Sequence, residues 1–269
     1  MRKSILRWWP RDRENTIDPN MNEKTVQLKI KRQDKPGTSA YWQEFVVPYK
    51  AFANVISCLQ EVQRNPVTAT GDRVNPVTWD CNCLEEVCGS CTMLVNGKVR
   101  QSCTALVDNL KQPIVLEPMS KFPVVRDLQV DRSRMFDNLK KVQAWIDIDG
   151  THDVGEGPLM SDKVRATRYA LSECMTCGCC LEACPQFTLN NTFLGASTFS
   201  QVRLFNLHPT GAMEKEERLN KVMIDGGIAD CGNAQICVEV CPKNIPLTES
   251  IADIGRQTSL QMLKNLFSK

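Results

Sequence analysis

The clustering of its cysteines constrains this chain more than any other feature. All but one of the 14 cysteines lie in three short stretches, residues 81–103, 174–184 and 231–241, and the exception is Cys58. Cysteine makes up about 5% of the chain, below the roughly 8–10% of a small disulfide scaffold. A chain of 269 residues is also long enough to bury hydrophobic cores without covalent staples. The clustering therefore predicts reduced thiolates that share metal sites.

The first stretch has the spacing C-x4-C-x2-C followed by a more distant cysteine, which is typical of plant-type 2Fe-2S ligation. The four candidate ligands are Cys83, Cys88, Cys91 and Cys103. Gly89 and Ser90 are small, so backbone N–H groups of the loop can turn toward the sulfurs. A zinc site is the alternative, but it is usually built from two short C-x2-C pairs and this stretch contains one. Cys81 competes with Cys83 for the first ligand position, and the x4 spacing favours Cys83.

The second stretch contains the full bacterial ferredoxin pattern C-x2-C-x2-C-x3-C-P. Its cysteines are Cys174, Cys177, Cys180 and Cys184, followed by Pro185. In this pattern the first three cysteines bind one cluster and the fourth binds another, because the proline ends the loop and directs the last thiolate away. Cys179 falls between ligand positions and is expected to be a spare thiol.

The third stretch repeats this pattern with one change, since Ala234 stands where a cysteine is expected. Its cysteines are Cys231, Cys237 and Cys241. By the crossed rule, a 4Fe-4S cluster is bound by Cys174, Cys177, Cys180 and Cys241. Cys184, Cys231 and Cys237 remain for the other cluster. A methyl group cannot ligate iron, so we expect a 3Fe-4S cluster there; the alternative is a 4Fe-4S cluster completed by water or a distant side chain.

Other features narrow the class of protein. Lys plus Arg number 33 against 31 for Asp plus Glu, so no basic field indicates nucleic acid as a partner. With 42% hydrophobic residues and a mean hydropathy of −0.29, the chain resembles an ordinary soluble protein, and no apolar run approaches the roughly 18 residues of a transmembrane segment. The two histidines, His152 and His208, are not paired near the cysteines, which argues against a Rieske centre.

No glycine-rich nucleotide-binding turn is present. We therefore expect neither a doubly wound domain nor a flavin bound by such a domain.

Hydrophobic periodicity predicts two domains after an N-terminal extension. Residues 1–21 form the extension, residues 22–124 a domain of strands with one helix, and residues 125–269 a helical domain. Alternation predicts a hairpin over residues 26–47, Asn96-Gly97 predicts a second hairpin, and residues 114–116 read as a strand. Helices are predicted at 52–63, 133–146, 161–172, 214–224 and 247–266. Cys58 lies on the first of these and is expected to be a buried thiol.

Together the three runs resemble the iron-sulfur subunit of succinate dehydrogenase and fumarate reductase, over roughly residues 24–265. The resemblance implies an α+β chain, with an N-terminal β-grasp 2Fe-2S ferredoxin-like domain followed by an α-helical ferredoxin domain. It also implies electron transfer from a partner flavoprotein, whose FAD oxidises succinate to fumarate, through three clusters to a membrane quinone. We would then expect a peripheral protein on the cytoplasmic face of the plasma membrane, held by an anchor subunit.

Two positions depart from the members of the family that use ubiquinone. Those members often have a tryptophan shortly after the Cys-Pro of the second run and a histidine after the first cysteine of the third. Here Thr188-Leu189 and Gly232 stand at these places. The resemblance is therefore closer to the subgroup with a haem-binding anchor and menaquinone.

Three alternatives remain open at this stage. A fumarate reductase subunit would hold the same clusters and work in the opposite direction. A free-standing multi-cluster electron carrier is a second alternative, and an iron-sulfur subunit of a thiol-linked or hydroxy-acid-oxidising reductase is a third. Ala234 and the plant-type run argue against the last.

Overall fold

The structure is a computed structural model that describes residues 24–147 and 159–267. The predicted extension 1–21 lies outside the described residues, as do residues 22–23 of the first predicted domain and residues 148–158, which include His152, and 268–269 of the predicted helical domain. Seven strands and eight α-helices follow one another along the chain: β1 Thr25–Arg32, β2 Tyr41–Pro48, α1 Val55–Arg64, β3 Thr92–Val95, β4 Lys98–Gln101, β5 Ile114–Glu117, β6 Val124–Arg126, β7 Gln129–Val130, α2 Ser133–Lys141, α3 Asp162–Ser172, α4 Cys179–Ala183, α5 Ala196–Asn206, α6 Lys215–Lys221, α7 Ile236–Glu239 and α8 Leu247–Phe267.

The first half is a five-stranded mixed sheet covered by one helix. The strand order is β2-β1-β5-β3-β4, with β1 and β5 parallel and the two predicted hairpins antiparallel. Helix α1 begins at an Asn54 capping box and buries Val55, Ile56, Leu59 and Val62 in the same core as the strands. This arrangement confirms the predicted β-grasp class.

The second half is helical and has a core of its own. The predicted helices at 161–172 and 247–266 are present as α3 and α8, whereas the one at 214–224 is shortened to α6. Helix α5, which no prediction included, packs against α8 and buries Phe199 and Val202. It was missed because its buried residues also include Thr198 and Ser200, so its sequence shows no clear apolar stripe.

Helix α2 ends earlier than predicted, at Lys141 rather than at residue 146. Gln143 adopts a left-handed backbone conformation with φ of 50°. The buried guanidinium of Arg218 donates hydrogen bonds to the carbonyl oxygens of Gln143 and Trp145, at 2.9 and 3.0 Å. These contacts satisfy the backbone in a non-helical path that the local sequence does not reveal.

The segment between the two halves belongs to both cores. Met119 and Phe122 pack in the second core, whereas Leu128 packs in the first. The Glu182 carboxylate on α4 is buried and accepts hydrogen bonds from Ser120 and Lys121. These hydrogen bonds connect the helical half directly to the segment that follows β5.

Candidate metal centres

The first cysteine loop turns backbone N–H groups toward its sulfurs. Cys83 Sγ accepts from the N–H groups of Glu85, Val87 and Cys88 at 3.4, 3.3 and 3.3 Å. Leu84, Glu86 and Gly89 all have positive φ, which produces this inward curl. Donors of this kind stabilise thiolate ligands and the negative charge of a cluster.

The pKa values of the thiols in this group differ because their surroundings differ. Burial alone would raise the pKa of Cys88, but hydrogen bonds from the Cys83 and Ser90 backbone and from the Ser90 hydroxyl lower it to about 6. Cys91 is buried just before β3, and burial raises its pKa to about 12. The surroundings therefore oppose the deprotonation that metal ligation requires at Cys91 and favour it at Cys88.

Cys81 lies beside the same group but lacks the environment of Cys83. Burial raises the pKa of Cys81, and it lies close enough to Cys83, Cys88 and Cys103 to interact with them electrostatically. Within the described residues, no backbone N–H donates to its sulfur. The contrast with the three donors on Cys83 agrees with the choice of Cys83 made from spacing.

The second group lines a small cavity at the start of α4. Its cysteine lining consists of Cys174, Cys177, Cys180 and Cys241, together with Cys179. Burial raises the pKa of Cys180 well above its ordinary value, and the neighbouring thiolates of Cys177, Cys174 and Cys241 raise it further. The N–H of Ile245 donates to Cys241 Sγ at 3.5 Å. Tertiary folding thus brings Cys241 to three cysteines more than 60 residues earlier in the chain.

The third group lines a separate small cavity. Cys184, Cys231 and Cys237 line it, and Ala234 contributes to the same wall. Burial raises the pKa of Cys237, and charges on Cys184 and Cys231 raise it further. The cavity therefore offers three sulfurs and one methyl group.

The surplus thiols lie in different surroundings. Cys58 is buried in the core of the first half, as predicted, and burial raises its pKa to about 11. Cys179 is also buried, and its sulfur accepts from Gln101 Nε2 at 3.6 Å. Gln101 Oε1 lies 3.3 Å from Cys91 Sγ, so one amide side chain contacts both cysteine loops.

The donor set suits iron–sulfur clusters. Among residues 24–147 and 159–267, no group of three or more His, Cys, Asp or Glu side chains could hold a single metal ion. The cysteines instead surround two cavities and one N–H-lined loop. Cluster ligands lie around a multi-atom core, so they need not converge on one point.

Several residues that shape these groups carry no signal in the sequence. Gln201 and Ser197 on α5 lie beside Cys174 and Cys180, respectively. Gln101 and Arg132 lie between the first two groups. None of them belongs to a motif, and only the tertiary structure brings them to the cysteines.

Comparison with known proteins agrees with this geometry. Residues 27–137 match the 2Fe-2S iron-sulfur cluster binding domain family, and residues 170–245 match the 4Fe-4S dicluster domain family. The succinate dehydrogenase iron-sulfur subunit of Bacillus subtilis is 61% identical over 245 residues, which cover 91% of this chain and 97% of that protein. The chain belongs to the family of succinate dehydrogenase and fumarate reductase iron-sulfur subunits.

Other relatives support the same membership. The fumarate reductase iron-sulfur subunit of Wolinella succinogenes is 29% identical over 67% of this chain and 77% of its own length. A chain of the Mycobacterium smegmatis Sdh1 complex in the apo form shares the fold, with a TM-score of 0.74 and 20% identity over 88% of this chain and 96% of that one. As a member of this family, the chain is an electron-transfer subunit of an oxidoreductase. Within the described residues, no helix is long and apolar enough to span a membrane.

Proposed function

We propose that the chain conducts electrons from succinate to quinone through three iron–sulfur clusters held in series. The 2Fe-2S ligands are Cys83, Cys88, Cys91 and Cys103. The 4Fe-4S ligands are Cys174, Cys177, Cys180 and Cys241. The 3Fe-4S ligands are Cys184, Cys231 and Cys237. Clusters of this kind accept and release single electrons, at potentials that depend on cluster type and surroundings.

The observation that carries the proposal is the pair of cysteine-lined cavities in the helical half. Each cavity collects cysteines from two distant runs, in the grouping that the crossed ligand rule requires. The first has four thiols at ligand positions, and the second has three thiols and the Ala234 methyl group. This difference supports one four-iron and one three-iron cluster.

The partners follow from the family. We infer a flavoprotein subunit whose FAD oxidises succinate, and a haem-binding membrane anchor that holds this chain at the cytoplasmic face of the plasma membrane. Leu84 and Val87 in the first cysteine loop are exposed by 44% and 58%, which supports a protein contact near the first cluster. No nucleic acid is expected as a partner, because the net charge is only +2.

We propose that the quinone is menaquinone and that it binds near the 3Fe-4S cluster. A Cβ added to Gly232 would lie 2.5 Å from Gln186 Nε2. Gln186 is an exposed side chain whose end can move aside, so this contact does not exclude a larger residue. The support for menaquinone is the residue itself, because glycine stands where many members that use ubiquinone have a histidine.

Low-temperature EPR of the anaerobically purified complex tests the proposal, together with iron and acid-labile sulfide analysis. We expect a three-iron signal in the oxidised protein and a 2Fe-2S signal after reduction by succinate. Co-purification of a flavin-containing subunit, haem absorbance and extractable menaquinone test the partners. Zinc in place of iron, or two complete 4Fe-4S centres, would overturn the cluster assignment.

The 29% identical fumarate reductase subunit of Wolinella succinogenes makes the reverse direction the second candidate. The 61% identity to a succinate dehydrogenase subunit favours succinate oxidation. Comparing succinate:quinone and quinol:fumarate rates of the same complex distinguishes the two directions.

A further inference from the structure

Arg132, the residue before α2, extends from the helical half into the first cysteine loop. Its guanidinium donates to the carbonyl oxygens of Gly89, Ser90 and Thr92, at 2.5, 2.6 and 3.4 Å. These three residues surround Cys91, a proposed 2Fe-2S ligand. One side chain of the second half therefore holds the backbone of the first cluster loop.

The same guanidinium faces the second cysteine loop. Arg132 interacts electrostatically with Cys177 and Cys179 as well as with Cys91. A Cβ on Gly89 would lie 2.8 Å from Cα and Cβ of Cys177, so the two loops are in contact beside Arg132. The cation thus lies at the junction between a ligand of the proposed 2Fe-2S cluster and a ligand of the proposed 4Fe-4S cluster.

Within the described residues, Arg132 forms no direct ion pair. Its hydrogen bonds there all go to carbonyl oxygens, and its Nε is buried without a hydrogen-bond partner. Asp80 lines the same interdomain groove but forms no ion pair with Arg132 among these residues, and its carboxylate accepts from Gln129 at 2.9 Å. Burial lowers the pKa of Arg132, yet a guanidinium remains protonated in proteins. The positive charge is therefore permanent, and Asp80, its strongest electrostatic partner, acts on it without a direct ion pair.

Reduction adds one negative charge to a cluster, and a nearby buried cation stabilises that charge. We propose that Arg132 is a positioning residue that sets the reduction potentials of the first two clusters, by placing a permanent positive charge between their ligand loops. It would raise both potentials and so favour electron entry into this part of the route. The inference rests on the cluster ligands proposed above.

The test is an EPR-monitored redox titration of the purified complex with Arg132→Gln, Arg132→Lys and Arg134→Gln. Glutamine still donates one hydrogen bond but is neutral, so we expect the equilibrium constant for one-electron reduction of the 2Fe-2S cluster to fall about tenfold, a shift of about 59 mV to lower potential. The 4Fe-4S potential should fall in the same direction. Lysine retains the charge and should keep both potentials near those of the wild type.

Arg134 provides the matched control. Arg134 lies on α2, two residues after Arg132. It also donates to backbone carbonyls, of Thr188 and Phe193, but it does not contact the first cysteine loop. Arg134→Gln should leave the 2Fe-2S potential unchanged.

Unshifted potentials in an Arg132→Gln complex with assembled clusters would overturn the inference, as would an equal fall in the glutamine and lysine variants. If the glutamine variant does not assemble its clusters, the lysine variant decides: wild-type potentials support the inference, and a tenfold fall overturns it. Absence of a 2Fe-2S signal from the wild type would instead contradict the proposed cluster set, so the two failures are distinguishable.

Discussion

Gly89 and Cys177 are in direct contact across the two halves of the molecule, since a Cβ on Gly89 would lie 2.8 Å from both Cα and Cβ of Cys177. Gly89 also has φ of 72°, a conformation that other residues rarely adopt. This glycine follows one proposed 2Fe-2S ligand, and Cys177 is a proposed 4Fe-4S ligand. This close approach of the two cluster loops thus depends on a residue without a side chain.

Replacing Gly89 by alanine should separate these loops. The backbone conformation costs about 1–2 kcal/mol for an L-residue, and the overlap with Cys177 adds about 1–3 kcal/mol. We expect a lower thermal unfolding midpoint and a weaker magnetic interaction between the two reduced clusters by EPR.

Gly97→Ala is the matched control for this prediction. Gly97 has φ of 75°, but nothing lies within 4 Å of an added Cβ. The Gly97→Ala variant should lose only the stability that the backbone conformation costs, and its EPR spectra should be normal. Equal effects of the two substitutions on the spectra would contradict the role of the Gly89–Cys177 contact.

Cys83 and Cys81 should differ sharply when each is changed to alanine. Cys83 receives three backbone N–H donors and is the proposed ligand, so its loss should remove the 2Fe-2S signal and about two irons per chain. The Cys81→Ala variant should retain both the 2Fe-2S signal and the iron. Loss of the signal in the Cys81 variant, with retention in the Cys83 variant, would reverse the assignment.

Ala234→Cys should convert the three-iron centre to a four-iron one. Ala234 lines the cavity of Cys184, Cys231 and Cys237, and a thiolate there would supply the missing ligand. We expect the oxidised three-iron EPR signal to disappear and quinone reduction to slow, because the cluster potential changes. Ala234→Val, which fills the same place without a ligating atom, should keep the three-iron spectrum. A three-iron spectrum in the cysteine variant would show that the crossed assignment is wrong.

Asp127→Asn should destabilise the first half strongly. Asp127 is fully buried and accepts from Arg32 Nε at 2.7 Å and from the Thr78 N–H at 2.8 Å. The substitution leaves the Arg32 charge buried without its partner, which costs about 3–5 kcal/mol. Thermal unfolding followed by circular dichroism measures the loss. Asp108→Asn, at an exposed carboxylate 4.0 Å from Lys24, should change stability by no more than about 0.5 kcal/mol.

Alkaline pH should weaken the contribution of Cys58 to the stability of the folded chain. Burial raises its pKa from an ordinary value of 9.0 to about 11 in the folded chain, so between these values the unfolded state binds fewer protons than the folded state. Stability from this group is therefore complete below pH 9 and is lost as the pH rises to about 11. The difference in unfolding midpoint between the wild type and Cys58→Ala should shrink over this range, and a constant difference would contradict the shift.

Much of the fold could be predicted from local patterns. Asn96-Gly97 forms the turn of the β3–β4 hairpin with both residues at positive φ, as the dipeptide indicates. The apolar stripe of α1 is buried as predicted. Helix α5 and the early end of α2 could not be predicted, because burial of polar residues in α5 and the Arg218 contacts to residues 143 and 145 depend on segments far away in the chain.

The candidate site, like the fold, could be predicted only in part from the sequence. The spacing of the cysteines, the alanine at position 234 and the membership of the family were available from the sequence, because cluster ligation imposes short covalent separations on its ligands. Only the tertiary structure placed Gly89 against Cys177, Gln101 between Cys91 and Cys179, and Arg132 at the junction of the two loops. Apart from Gln101 and Cys91, which are 10 positions apart, these contacts join residues 40 to 90 positions apart through packing, and no local pattern in the chain encodes them.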